Sequence, residues 1–544
     1  MVYLEQSASL SFDESRMPDA QILRGNVRFR HDSALMYCDS AYFFQKSNSL
    51  HAFGNVRLVQ GDSLQGYGDV LYYDGNSKIA KFRRHVRLVH RGTVLTTDSL
   101  NYDRVKDIAY YFLGGKIKDS LNTLTSDWGQ YTPYDKQALF KGGVKLVHPK
   151  FTLESDTLFY NTGTYQALLV SPTRIVYKKQ TTILSTYGWY NTKTERSMLF
   201  KRSRIIHSDG KSLTGDTIYY DKRIGYGYVL GNMQSVDSTH HLTLTGDRGE
   251  VWDKEDYGYA TDSAMLVDWS DTTKYTYMHA DTLYTAEKPY TTFRLTKVDS
   301  VFRDSVWVLP VPDTIWVDTS YVDVRAYKNV RVYREDVQMV CDSSHYNGRD
   351  SITTLCGNPV CWNEEQQISA DTILIFFKNK DVDRIQGIGN SIAIKKEDEQ
   401  EFNQLAGHEV CAYLKDGDIH IVDVLGNAET IFYPREEDST FVGLNKTQSS
   451  FIKVYFVDRN INRVVFTTAT TGVMIPFSQA TNEDRYLVTY FWAEHERPRQ
   501  PSDIFLRPQR TPRPSAQSAS VNTEEEEESD KKSRDRTKKR NTNN

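Results

Sequence analysis

The sequence predicts an all-β protein built from a repeat of about 30 residues. Strings of the form apolar-x-x-Asp-x-x-x-Tyr recur along the chain, among them LTTDSLNY (95–102), LESDTLFY (153–160) and LTGDTIYY (213–220). Runs such as GNVRLV (54–59) alternate between apolar and polar residues, which is the period of a half-buried strand. No segment shows a convincing 3.6-residue period, so amphipathic helices are not predicted.

A column of aspartates sets the period of the repeat, with Thr186 standing in for Asp in one unit. The steps are 29 to 31 residues until the last, and the members are Asp39, Asp69, Asp98, Asp127, Asp156, Asp216, Asp247 and Asp281, with a return at Asp342 and Asp371. We interpret the column as structural, because an Asp near a strand start can cap a turn in every unit. The alternative is a catalytic carboxylate pair for cleaving polysaccharide, for instance Asp127 with Asp156.

Two further columns accompany the aspartates. Tyrosines follow four positions after Asp, at Tyr73, Tyr102, Tyr131, Tyr160 and Tyr220. They predict a stacked aromatic ladder that stabilises the sheet, or a surface that contacts lipid or sugar. Small residues occupy Ala52, Ala80, Ala109, Ala138, Ala167, Ser197 and Gly227. These small residues predict a close approach of two layers, as at the crease of a folded sheet.

Breaks in the repeat predict the domain organisation. A lead-in (1–20) precedes a first repeat block (21–285), and an insertion or degenerate unit (286–325) separates it from a second block with a C-terminal cap (326–500). Residues 501–544 contain EEEEE and then KKSRDRTKKR, which predicts a disordered charged tail. The first 20 residues lack the basic and apolar regions of a signal peptide. No apolar window is long enough for a transmembrane helix.

Composition and motifs argue against several classes of function. Lys+Arg 67 against Asp+Glu 71 gives a net charge of −4, so no strong field would attract nucleic acid. The chain lacks GxxxxGK[ST], HExxH, GxSxG and CxxC, and its five cysteines and 13 histidines show no metal-ligand spacing. We therefore expect no catalytic residues, no metal and no cofactor.

The repeated motifs resemble those of one family. The G-N-V-x-[LF] run followed by L-x-x-D-x-L-x-Y is similar to the OstA-like family, which comprises lipopolysaccharide-transport proteins of the LptA type and the N-terminal domain of LptD. The strings that carry the resemblance are ALMYCDSAYFFQKSNSLHAFGNVRLVQGDSL (34–64), AYKNVRVYREDVQMVCDS (326–343) and FNQLAGHEV (402–410). They look like the long version of Gram-negative, Bacteroidetes-type bacteria.

The resemblance implies an antiparallel β-jellyroll, or β-taco, without catalysis. It implies a periplasmic bridge component, associated with the outer membrane, that shields the acyl chains of lipopolysaccharide in an apolar groove during outer-membrane assembly. Partners would be lipopolysaccharide or lipid A, other bridge proteins that pair edge strands, and an outer-membrane-associated complex. On strand parity, the groove-lining residues would be Val56, Leu58, Val86, Leu88, Leu100, Val144, Leu146, Leu158 and Ile218.

Two alternatives stay open at this level. One is an enzyme on a β-solenoid that acts on polysaccharide. The other is a surface adhesin or scaffold in which the same Val and Leu columns form a closed core. Sequence alone does not separate a core from an open groove, because both use the same alternate residues.

Overall fold

A computed structural model describes residues 1–15, 17–61, 64–295, 301–303, 306–308, 314–379, 381–436, 440–510 and 512–513. The chain divides into two compact units, Met1–Thr239 (unit 1) and His240–Asn544 (unit 2). The boundary between them lies inside the first predicted repeat block. The described part is almost entirely antiparallel strand, which confirms the all-β prediction.

Unit 1 consists of antiparallel strands in a meander. In chain order they are β1 Tyr3–Gln6, β2 Ser9–Phe12, β3 Gln21–His31, β4 Ala34–Phe44, β5 Ser49–Gln60, β6 Leu64–Asp74, β7 Ile79–His90, β8 Thr93–Asp103, β9 Ile108–Tyr111, β10 Gly115–Lys118, β11 Thr123–Ser126, β12 Trp128–Thr132, β13 Gln137–His148, β14 Phe151–Asn161, β15 Gln166–Leu169, β16 Thr173–Tyr177, β17 Thr181–Ser185, β18 Tyr187–Asn191, β19 Arg196–His207, β20 Lys211–Asp221 and β21 Tyr226–Asp237.

Many of the long strands bend at a corner of two residues with positive φ. In β5 the corner is Gly54 (φ 74°) and Asn55 (φ 43°), and in β13 it is Gly142 (φ 74°) and Gly143 (φ 51°). Strand pairing slips at these positions, as in a β-bulge. The Gly-Asn and Gly-Gly motifs of the sequence are therefore corners inside strands and not the turns between them.

The aspartate column faces these corners. The Asn55 side-chain amide donates a 2.8 Å hydrogen bond to Asp39 Oδ2. A Cβ atom added to Gly54 would lie 2.5 Å from the same oxygen, which leaves no room for a side chain. The arrangement recurs at Gly142 beside Asp127, and at the pairs Gly231–Asp216, Gly357–Asp342 and Gly389–Asp371. Glycine thus meets two demands at once, a left-handed backbone and close contact with a carboxylate.

The corners fold unit 1 into two arms. Arm A holds the strand parts that end in the tyrosine column, such as 70–74 and 79–83, and arm B holds the parts on the other side of the corner, such as 56–60 and 86–90. We call the line of corners the crease, the space between the inward faces the furrow, and the side where the two arms end in turns the rim. Contacts at the rim join the arms, since His31 on arm B reaches Tyr73 on arm A.

Unit 2 is built in the same way. Its strands are β22 Leu242–Trp252, β23 Tyr257–Thr261, β24 Met265–Asp268, β25 Thr276–His279, β26 Thr282–Leu295, β27 Val301–Arg303, β28 Val306–Val308, β29 Thr314–Tyr333, β30 Gln338–Asn347, β31 Ile352–Cys356, β32 Val360–Asn363, β33 Gln366–Ser369, β34 Thr372–Lys378, β35 Asp381–Lys396, β36 Phe402–Lys415, β37 Asp418–Phe432, β38 Gly443–Val457, β39 Asn460–Thr467 and β40 Thr471–Pro476. Two 3-10 helices follow, Glu494–Glu496 and Pro501–Phe505. Neither helix is long or apolar enough to cross a membrane, and the described residues contain no other candidate.

Unit 2 has a third layer that unit 1 does not show in its described part. One core lies between the arms and contains Val410, Val422, Val424, Ile452 and Val454. A second core lies on the opposite face of arm B, where the C-terminal segment 477–505 covers Ile392, Ile394, Phe402, Ile431, Leu444, Val360 and Trp362. The buried side chain of Gln367 accepts a hydrogen bond from Ala493 N, and that of Gln404 accepts one from Leu487 N. Arm B of unit 2 is thus buried on both faces.

Three expectations need correction or refinement. The small-residue column does not mark the crease, because Ala80 and Ala109 pair with Tyr73 and Tyr102 on arm A, where a short side chain leaves room for the ring. The predicted tail does not begin at 501, because Ile504 is buried on unit 2, while residues 514–544 lie outside the described range. The segment 286–325 includes the extension of the β26–β29 hairpin, paired from Ala286↔Asp323 to Leu295↔Thr314.

The corner geometry can be tested with a matched pair of glycines. Gly54→Ala is expected to lower the free energy of unfolding by about 2–4 kcal/mol, because it adds a clash with Asp39 to the cost of positive φ. Gly92→Ala is the control, since Gly92 has φ 87° but nothing within 4 Å of the added carbon. Urea titration of both variants measures the difference. Equal destabilisation would show that the carboxylate does not constrain the corner.

Candidate functional site

The nine residues for which strand parity predicts a groove-lining position lie on the inward faces of unit 1. All nine face inward and are between 0 and 2% exposed: Val56, Leu58, Val86, Leu88, Leu100, Val144, Leu146, Leu158 and Ile218. Six of them lie on arm B, and Leu100, Leu158 and Ile218 lie on arm A. The structure therefore places the nine residues in the buried layer between the two arms.

Sequence reasoning missed the aromatic part of this lining. Phe82, Tyr111 and Phe140 are fully buried among the nine. The rings of Phe82 and Tyr111 lie over strand glycines, since a Cβ atom at Gly129 would clash with the Tyr111 ring and one at Gly66 would be 2.9 Å from the Phe82 ring. Glycines inside otherwise regular strands were the available signal, because such glycines often mark a close approach by another group.

The tyrosine column lies at the rim, where polar contacts join the two arms. Arg104 donates to the Tyr73 hydroxyl oxygen (2.7 Å), and that hydroxyl lies 2.6 Å from His31 Nδ1. Arg104 also donates to Gln60 Oε1 (2.8 Å) and to the backbone oxygen of His31 (3.4 Å). One guanidinium on an arm A turn thus binds two strand ends of arm B.

Similar contacts continue along the rim. The Asn122 side chain donates to the Tyr160 hydroxyl (2.6 Å), which itself donates to Asp119 Oδ2 (3.0 Å). The Tyr131 hydroxyl lies 3.2 Å from His90 Nδ1. Further bridges between turns of the two arms are Asp32–Lys78 and Lys150–Glu195. The rim is therefore a polar row beside an apolar furrow, and none of these bridges was predicted from sequence.

Burial changes the titration of the rim. Desolvation lowers the pKa of His31, and the nearby charge of Asp32 offsets part of this lowering. Desolvation also lowers the pKa of His90 and of His148. Desolvation raises the pKa of Tyr73, Tyr102, Tyr131 and Tyr160. A neutral imidazole can accept a hydrogen bond from a tyrosine hydroxyl. The two His–Tyr contacts of the rim, His31–Tyr73 and His90–Tyr131, are therefore contacts between uncharged rings.

The aspartates lie at the crease, away from the rim. Asp39, Asp216 and Asp371 each accept a hydrogen bond from the corner asparagine of a neighbouring strand, at 2.8, 2.6 and 3.1 Å. Asp69 lies 2.7 Å from His85 Nδ1, and Asp98 Oδ1 accepts from the backbone nitrogen of His85 (3.3 Å). Asp156 is hydrogen-bonded by Thr157 (3.0 Å). These partners are corner and strand groups, so the geometry gives each carboxylate a local structural contact.

No group of metal ligands was found among the described residues. The five cysteines are free thiols, and burial raises the pKa of Cys38 to about 12. A thiol that ionises so weakly is a poor nucleophile and a poor metal ligand. The furrow itself is lined by apolar side chains, and the interaction that it offers is the burial of apolar groups.

Unit 2 ends in strands that have an unpaired edge. Among the described strands, β39 and β40 pair only with β38. Both strands carry exposed apolar residues, which are Ile461, Val464, Val465, Val473 and Met474. In unit 1, β1 and β2 pair only with β3 in the described part. Such edges offer backbone groups to a further strand.

The rim histidines predict a pH dependence of stability. Their folded-state pKa values lie below the unfolded value of about 6.5, so the unfolded chain binds more protons as the pH falls through that value. Stability is therefore expected to decline below about pH 6.5, and the double variant His31→Gln/His90→Gln is expected to flatten the decline. Urea midpoints measured between acid and neutral pH test this.

His85→Gln serves as the control of opposite sign. The hydrogen bond to Asp69 raises the pKa of His85, so this residue stabilises the folded state at low pH. Its removal is expected to steepen the acid decline. If the His31→Gln/His90→Gln variant keeps the wild-type slope, the rim histidines do not cause it.

Comparison with known proteins supplies one family match. Residues 1–156 match the family model described as OstA-like protein. No curated protein matches the chain. Among solved structures, the chain is similar to LptH from Pseudomonas aeruginosa, described as the LptA homologous periplasmic component of the conserved lipopolysaccharide transport device. That similarity has 12% identity and a TM-score of 0.21, and it covers 26% of this chain and 96% of LptH.

The family match covers the N-terminal strands of unit 1, including β5 to β8 and the Gly54 and Asp39 corner. It agrees with the resemblance carried by residues 34–64. Residues 1–156 of this chain are therefore similar to OstA-like proteins.

Proposed function

We propose that the protein is a non-catalytic bridge component of the periplasm, associated with the outer membrane, which shields the acyl chains of lipopolysaccharide in the furrow. The observation that carries the proposal is the apolar lining of unit 1, formed by nine buried Val, Leu and Ile residues on strands β5, β7, β8, β13, β14 and β20. The OstA-like match supports it, because the sequence resemblance to that family implies lipopolysaccharide transport.

A repeated lining suits the movement of a lipid. Each acyl CH₂ group removed from water contributes about 0.8 kcal/mol. Because Leu58, Leu88, Ile117 and Leu146 occupy the same position of successive repeats, a chain that advances by one repeat would exchange one contact for a similar one. The burial energy would then stay nearly constant along the furrow, and no position would trap the lipid.

The furrow needs to open before it can accept a chain, since its lining is 0 to 2% exposed. The crease is continuous polypeptide, whereas the rim consists of hydrogen bonds and ion pairs such as Tyr73–His31 and Asp32–Lys78. A hydrogen bond of this kind contributes only about 0.5–1.5 kcal/mol net, because water replaces it. We therefore propose that the arms separate at the rim and turn about the crease.

The same burial favours a second candidate function, a scaffold with a permanently closed core. In that case the nine residues would stabilise the fold and never meet a lipid. The polar rim would act as a fixed seam. The two proposals differ in whether a probe on the furrow face contacts lipopolysaccharide in cells.

Photo-crosslinking separates these two candidates. A photoreactive residue in place of Val56 or Leu88 is expected to capture lipopolysaccharide, because both positions face the furrow. Arg57 and Arg87 are matched controls, since each is adjacent to a probed residue on the same strand and faces outward. The measurement is the yield of lipopolysaccharide adduct after irradiation in cells. Equal yields from inward and outward positions would favour the closed scaffold.

We further propose that β39 and β40 pair with an edge strand of another protein of the bridge. The support is an open edge with exposed apolar residues on short strands, of which Val473 is 52% exposed and Met474 47%. Strand addition at such an edge gains backbone hydrogen bonds and covers the apolar side chains. A second copy of this chain is the simplest partner with which to test the edge.

Sedimentation velocity over a concentration series tests this edge. The wild-type chain is expected to associate as concentration rises, and Val465→Lys/Val473→Lys is expected to remain monomeric, because lysine on an edge opposes strand pairing. Val488→Lys is the control, since Val488 is 63% exposed but lies outside the strands. Pairing between copies is excluded if the wild type stays monomeric or if the edge variant associates equally.

A further inference from the structure

The outward face of arm A in unit 2 carries a band of aromatic rings. Trp252 and Tyr257 are cross-strand partners with ring centroids 4.8 Å apart, and Tyr259 and Tyr284 are partners at 5.4 Å. Tyr284 continues the band to Tyr327 at 5.5 Å. The five rings thus span four neighbouring strands, β22, β23, β26 and β29. They lie on the opposite face of the arm from the furrow, so the lining of the furrow does not account for them.

A cluster of charges borders this band. Asp323 is 5% exposed and contacts three basic side chains: Arg325 Nε at 2.9 Å, His345 Nε2 at 2.9 Å and Lys288 Nζ at 3.2 Å. Burial raises the pKa of Asp323, but the bonds from His345 and Lys288 outweigh it and leave the pKa lowered. Asp323 is therefore an anion, and it balances only one of the two permanent charges on Arg325 and Lys288.

The rings and charges border an open surface cavity of about 510 Å³, lined by Tyr257, Tyr284, Ala286, Lys288, Asp323, Arg325 and Tyr327. Ala286 pairs with Tyr257 on one side and with Asp323 on the other, so a methyl group lies between a ring and the charge cluster. Its short side chain leaves the depression open. The volume falls within the roughly 300–1,000 Å³ that is usual for small-molecule sites.

We propose that this cavity binds an anionic saccharide, a sugar that carries phosphate or carboxylate groups. The C–H faces of a pyranose ring would pack on the tyrosine rings, and the surplus positive charge of Lys288 and Arg325 would pair with the anionic group. Arg325 and Lys288 are 42% and 39% exposed at the side chain, so both can reach a ligand in water. A neutral apolar ligand would not pair with the positive charge of Lys288 and Arg325, and a free phosphate would not pack on the tyrosine rings.

The source of such a saccharide rests on the proposed function, in which the cargo is a glycolipid with its sugars in water. The site would then hold the sugar part of that cargo on the outward face of arm A. The cavity itself is argued from unit 2 alone. Its test can therefore use a probe that has no acyl chain, so that its outcome does not depend on the furrow.

The test is calorimetric titration of the full chain with deacylated lipopolysaccharide. Binding is expected, and Tyr257→Leu/Tyr284→Leu is expected to weaken it at least tenfold, since leucine keeps apolar bulk but removes the rings. Lys288→Gln is expected to weaken binding of this probe while leaving its dephosphorylated form unaffected. The matched control is Tyr219→Leu/Tyr228→Leu, which removes a stacked pair (5.0 Å) on unit 1 and is expected to change nothing.

Other outcomes would overturn the proposal. These are no binding of the deacylated probe, equal weakening by both tyrosine double variants, or inorganic phosphate binding as tightly as the probe. Circular dichroism of each variant excludes loss of fold as the cause. No binding of the deacylated probe, together with lipopolysaccharide adducts at Val56 and Leu88, would reject the saccharide site and keep the furrow. Binding of the probe without such adducts would reject the furrow alone.

Discussion

The contact between a corner and an aspartate determines the shape of both units. In alternate long strands, such as β5 and β13, the turn from one arm into the other uses two successive residues with positive φ, and the aspartate of the neighbouring strand lies against that turn. At Gly54 the backbone conformation and the proximity of Asp39 both exclude a larger residue. Repetition of this contact aligns the corners into a crease, and the crease sets the inward faces of the arms opposite each other.

The two long sides of the furrow differ in how they are held. At the crease the chain passes covalently from arm to arm, so the spacing there is fixed. At the rim the arms meet through side chains, among which Arg104, Tyr160 and Lys150 make the central contacts. Because the arms are joined covalently at the crease and by hydrogen bonds at the rim, they can separate at the rim but not at the crease. This asymmetry makes the closed furrow compatible with a carrier as well as with a scaffold.

The units also differ in what their outward faces present. In unit 2 the segment 477–505 covers arm B, where Gln367 and Gln404 bind its backbone through buried side chains. Arm A of the same unit remains uncovered in the described part and carries the aromatic band beside Asp323. A polar side chain buried at a fixed backbone contact favours a permanent layer, whereas partly exposed rings beside unbalanced charge favour a ligand.

The sequence by itself determined the repeat, the strand parity and hence the inward position of Val56, Leu88 and their equivalents. Parity is a local property, because alternate side chains of a strand point to opposite faces. Only the tertiary structure decided that the Gly-Asn pairs are corners and that Ala80 makes room for Tyr73 rather than marking the crease. It alone also revealed the rim bridges and the aromatic cavity, since partners such as His31 and Tyr73 are 42 residues apart and meet only when the arms fold together.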